Sequence, residues 1–84
     1  MKYQVILPKT VQKEMNRLPD DVIDRILDRL EELKVNPRPS DSKKLKGRPA
    51  WRIRVGDYRV IYEVHDRELR VIIITIGHRR EVYR

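Results

Sequence analysis

Apolar and polar positions largely alternate on either side of Gly56-Asp57, and this predicts a β-hairpin running from Trp51 to Val64. With a two-residue loop, Val55 pairs with Tyr58, Arg54 with Arg59, Ile53 with Val60 and Arg52 with Ile61. Side chains alternate across a strand, so Trp51, Ile53, Val55, Tyr58, Val60, Tyr62 and Val64 share a core face, while Arg52, Arg54 and Arg59 share the other. Like charges set directly opposite each other cost up to about 1 kcal/mol relative to a neutral pair. A face built this way suggests a polyanionic ligand.

The same patterning organises the rest of the chain. Lys2 to Leu7 alternates as a first strand that Pro8 ends. Val11, Met15 and Leu18 recur at helical spacing and predict a short helix over Lys9 to Leu18. A longer helix spans Asp20 to Val35, with Ile23, Ile26, Leu27, Leu30 and Leu33 drawing one apolar stripe and Asp20 or Asp21 as its cap. Asp24, Asp28, Glu31 and Glu32 lie off that stripe as a solvated face. Helical spacing scatters these carboxylates, so they predict no metal site.

The prolines of Asn36 to Ser42 end the second helix. Lys43 to Ala50 reads as a basic loop with Leu45 as anchor and Gly47 as its flexible point. His65 to Glu68 turns the chain into Leu69 to Gly77, a β-branched run expected to be buried on both faces and central in its sheet. The register of that last hairpin is open, because its turn accommodates an odd or an even number of residues. Two early helices and a late meander imply one two-layer α+β domain over residues 1–84, β-α-α-β-β-β, with the helices on one face of a mainly antiparallel sheet. The other face stays open to a ligand.

Composition sharpens this picture at three points. Eighty-four residues suffice for one small domain. The absence of cysteine rules out a disulfide framework or a thiolate metal site and fits a reducing cytoplasm, and no segment is long and apolar enough for a signal peptide or a membrane span. A soluble cytoplasmic protein is expected. Twenty Lys and Arg against thirteen Asp and Glu give a net charge of +7, a balance that points to nucleic acid. The charge is also segregated: acids crowd Asp20 to Glu32, whereas Lys43 to Arg59 has Asp57 as its only acid.

Arginines bind phosphate bidentately and keep their charge, so the Arg52, Arg54 and Arg59 face suits a phosphodiester. Fixed guanidinium groups also stabilise a pentacoordinate phosphorane without a cofactor or metal. Cleavage of RNA would then use the 2′-hydroxyl of the substrate as nucleophile, which DNA lacks. One proton must leave that hydroxyl and another must reach the departing 5′-oxygen. His78 and Tyr83, with Arg79 nearby, follow the last strand and are the candidates. Lys43, Lys44, Lys46, Arg48 and Arg80 are candidates for tracking the RNA backbone. Trp51, Tyr58, Tyr62 and Tyr3 fall on apolar faces and are read as core, and His65 in its turn is assigned no role.

The order strand, two helices, LKG, WRIRVGDYRVIYEV and IGHRREVY resembles the RelE/ParE superfamily of type II toxins, in particular its RelE-like branch, over essentially the whole chain. RelE-like toxins are small ribonucleases that cut messenger RNA in the ribosomal A site. The resemblance implies that Arg52, Arg54 and Tyr83 orient the substrate and transfer protons, and that Arg59 and Arg79 hold transition-state charge. His78 resembles a histidine near the C-terminus of some related toxins. Arginine stands at 52 and 54 where the best-known bacterial members carry lysine. Since arginine does not readily give up a proton, proton transfer shifts to Tyr83 or His78. The resemblance further implies the ribosome with its message as target and a cognate antitoxin as partner in a hetero-oligomer. The alternatives are a ParE-like inhibitor of DNA gyrase and a non-catalytic nucleic-acid-binding module.

Overall fold

A computed structural model describes residues 2–78. The chain runs β1 (Gln4–Ile6), α1 (Lys9–Asn16), α2 (Asp20–Val35), β2 (Lys43–Lys44), β3 (Ala50–Val55), β4 (Tyr58–His65) and β5 (Arg70–His78). The five strands form one sheet in the order β1-β5-β4-β3-β2. Its pairs are antiparallel except β1 with β5, which is parallel. The expected two-layer α+β architecture is present, with both helices against one side of the sheet.

Proline shapes both helix starts. Pro8 and Pro19 stand at the N-caps with no side-chain cap, and Asp20 and Asp21 lie inside the first turn of α2 rather than capping it. There they face the positive end of the helix dipole, where carboxylates are favoured. The buried stripe of α2 is Val22, Ile26, Leu30 and Leu33. Leu27, expected within it, is 42% exposed, because the stripe is rotated toward Val22. These residues meet Val11 and Met15 of α1 and the inner face of the sheet, where Ile53, Val55, Val60, Tyr62, Val71, Ile73 and Ile76 are buried. At roughly 25 cal/mol per Å² of apolar surface, this burial is the main term favouring the fold.

The β3–β4 register is the predicted one, from Val55 opposite Tyr58 to Arg52 opposite Ile61. Gly56 takes φ +59 while Asp57 does not enter the positive region, the arrangement of a turn with glycine first. Lys43 and Lys44, expected in a loop, pair with Arg52 and Trp51 as a two-residue edge strand. Behind them Leu45 N–H donates to Ala50 O at 2.9 Å, closing a loop in which Gly47 has φ +70.

β5 departs most from expectation. It lies between β1 and β4, so β4 is the middle strand, and its outer face is not buried: Ile74 is 43% exposed. The register shifts between Ile61, opposite Thr75, and Tyr62, opposite Ile73, leaving Ile74 as the extra residue of a bulge. Leu69, expected to start the strand, takes φ +52 in the turn before it. Past the reach of β1, the Glu14 carboxylate covers the edge of β5, accepting from the Thr75 hydroxyl at 2.9 Å and from Ile76 N–H at 3.0 Å.

Candidate nucleic-acid interface

Strand alternation places the cluster. Ile53 and Val55 point into the core, so Arg52 and Arg54 point to the face without helices, and Arg59 joins them across the Arg54 rung. Lys43, directly opposite Arg52 on β2, lies on the same side. Arg54 is exposed, whereas Arg52 and Arg59 are half-buried, and Ile61, directly opposite Arg52 and two residues beyond Arg59 on β4, is buried. Gly77, opposite Arg59, puts no side chain beside it. The result is a cationic row at the hairpin end of the sheet.

Toward the other end the same face becomes mixed in charge, with Glu63, His65 and, opposite His65, Arg70. Glu63 and His65 follow Arg59 and Ile61 at every second position, and their side chains meet at 3.0 Å. Sequence reading passed over this pair, although period-two spacing from Arg59 points to it. The row of Arg52, Arg54 and Arg59 is therefore bounded by the Glu63–His65 pair.

The remaining predicted site residues divide. Lys44 lies opposite Trp51 and so belongs to the helix side of the sheet, away from the arginines. Lys46 and Arg48 are exposed in the loop behind β2. His78 ends β5 opposite Tyr58, and the two rings meet edge to face with centroids 5.7 Å apart. Tyr58 packs on the helix side, so His78 is across the sheet from Arg52, Arg54 and Arg59. There it lines a cavity of about 500 Å³ with Glu14, Arg17, Tyr58 and Thr75. Arg79, Arg80 and Tyr83 lie outside the described residues.

Two arginines of α2 that sequence reading did not single out also reach this end. Arg29 donates to Arg54 O at 3.3 Å and to the Asp41 carboxylate at 2.8 Å. The Arg25 guanidinium lies against the turn, with its terminal nitrogens 3.6 Å from where a Cβ on Gly56 would sit. Their i, i+4 spacing along one edge of α2 was the available signal.

A second polar cluster is structural. Arg38 forks onto both oxygens of Asp66, at 3.1 and 2.8 Å, and lies over the Trp51 ring, 5.4 Å from its centroid. The Tyr3 hydroxyl donates to Asp66 at 2.7 Å. Arg38 first, then Tyr3, holds the Asp66 carboxyl down at about 2, and the same bond to Asp66 raises Tyr3. Tyr62 is pushed up to about 12 by burial, and its hydroxyl donates to Pro37 O at 2.7 Å. Among the described residues no group of His, Asp or Glu side chains could hold a metal ion, and no helix is long and apolar enough to cross a membrane.

Known proteins share this architecture. Residues 5–83 match the family described as ParE toxin of type II toxin-antitoxin system, parDE. A Methanocaldococcus jannaschii protein named "Putative toxin RelE1" is 35% identical, over all of this chain and 98% of its own length. The archaeal RelE of the RelE-RelB complex from Pyrococcus horikoshii superposes with a TM-score of 0.85 at 34% identity, covering 94% of this chain and 97% of that one. A free E. coli RelE mutant gives 0.84 at 27%, over 98% and 88%. A basic open face on this sheet, with a family match spanning nearly the whole chain, places the protein in the RelE/ParE family of type II toxin-antitoxin toxins.

Proposed function

We propose that this toxin is an endoribonuclease that cuts messenger RNA in the ribosomal A site. The observation that carries the reading is the Arg54–Arg59 rung, two guanidinium-bearing residues opposed across a strand pair on the same open face as Arg52 and Lys43. Such a pair is unfavourable without an anion and favourable around a phosphodiester. The 2′-oxygen attacks phosphorus, the bond to the 5′-oxygen breaks, and the products are a 2′,3′-cyclic phosphate and a 5′-hydroxyl. Arg59 and Arg79 neutralise the developing phosphorane charge, while Arg52 and Arg54 orient the substrate. Proton transfer falls to Tyr83, since His78 is on the other side of the sheet from the arginines.

The P. horikoshii RelE is in complex with RelB, and E. coli RelBE is a toxin-antitoxin complex. By that likeness this chain takes a cognate antitoxin that masks the basic face. The deciding experiment mixes purified protein with programmed ribosomes and maps the cuts. Cleavage with cyclic-phosphate ends, lost in Arg59→Ala and Tyr83→Phe, is the expected result. Intact messages with trapped DNA breaks would instead favour a gyrase inhibitor, the reading that the ParE family match supports.

A further inference from the structure

We propose that Arg25 and Arg54 together hold a phosphate of the RNA strand flanking the cut, in a groove between α2 and the edge of β3. This rests on the ribonuclease reading above and extends its substrate path beyond the open face.

β2 pairs only with Trp51 and Arg52, so β3 from Ile53 to Val55 has no strand neighbour on that side among the described residues. α2 runs past this edge and leaves a groove of about 270 Å³ lined by Arg25, Asp28, Arg29, Arg54, Val55 and Gly56. Its three arginines differ in their ties. Arg29 is neutralised by Asp41 at 2.8 Å and Glu32 at 3.4 Å, and it anchors the wall through Arg54 O. Arg25 and Arg54 are exposed, and neither side chain forms an ion pair among the described residues. Two arginines without an ion pair thus border a groove whose lining includes one carboxylate, Asp28.

Continuity decides what fits. Arg54 belongs both to the groove and to the rung it shares with Arg59, so a strand lying over Arg59 and Arg54 meets Arg25 as its next cation. Two neighbouring forks grip one phosphate of a strand that continues from the Arg59 rung, and neutralising that phosphate releases a counterion. The Arg25 head lies against the Gly56 turn beside this path.

The test measures binding of a single-stranded RNA oligonucleotide to the full chain across salt concentrations, for the wild type, Arg25→Gln, Arg25→Lys, Arg54→Gln and the Arg25/Arg54 double variant. Arg25→Gln should weaken binding several-fold and reduce the log–log salt slope by about 0.7, the value for one contact to a single strand. Arg25→Lys should restore that slope, and the double variant should lose less than the sum of the single losses, because both residues hold one phosphate. A wild-type slope in Arg25→Gln, strict additivity, or a loss in Arg25→Lys equal to that in Arg25→Gln would overturn the proposal. So would an effect of Arg25→Gln confined to binding of a polyglutamate peptide, which would assign the groove to an acidic protein. Wild-type protein that binds RNA with this slope pattern but cuts no message would sink the ribonuclease reading and leave the groove assignment standing.

Discussion

Arg54 and Arg59 face each other across one rung of the β3–β4 ladder, one residue pair from the Gly56-Asp57 turn. Neutralising one partner should therefore stabilise the fold while weakening function. Arg54→Thr, which also favours a strand, is expected to raise the urea midpoint by an equivalent of up to about 1 kcal/mol. RNA binding should fall in the same variant. A lower midpoint would show that the pair is not repulsive in the free protein.

Acid should loosen the clasp formed by Arg38, Tyr3 and Asp66. The folded pKa of Asp66, about 2, lies below the ordinary value of 3.8, so its contribution is present above about pH 4 and is lost as pH falls toward 2. Asp66→Asn should flatten the stability–pH curve in that window and leave its shape at neutral pH unchanged. Denaturant midpoints between pH 2 and pH 6 provide the check.

Tyr62→Phe removes a buried hydroxyl and leaves Pro37 O without its donor. The expected loss is about 1–2 kcal/mol in urea unfolding, with little change in RNA affinity because Tyr62 is on the helix side. A loss of affinity larger than the loss of stability would contradict that placement.

Gly56→Ala tests the turn. The new Cβ would stand at ordinary contact distance from Arg25, so the cost is conformational, arising from φ +59, and is expected to be about 1 kcal/mol in thermal or urea unfolding. An unchanged midpoint would mean that the hairpin adopts another turn in solution.

The β3–β4 hairpin was legible in the sequence because a Gly-Asp turn and period-two patterning specify register together, and one shifted residue would bury the arginines. β5 was not. Ile72, Ile73 and Ile74 are consecutive and alike, so no alternation reveals which faces the helices or that Ile74 is a bulge. Leu69 at φ +52 carries no glycine to announce its turn, and β2 consists of two lysines that pattern as loop. For the candidate interface, the Arg52, Arg54 and Arg59 face followed from alternation alone. The side taken by His78 depended on the unseen bulge, and the approach of Arg25 depended on how α2 lies across β3, a tertiary fact with no local signature.

The parallel pairing of β1 with β5 has a consequence for synthesis. β1 waits for a segment far along the chain, since residues 70–72 provide its neighbour in the sheet. During translation β1 therefore remains without that neighbour until β5 has emerged, and this edge of the sheet closes only after both helices and the intervening strands have been made.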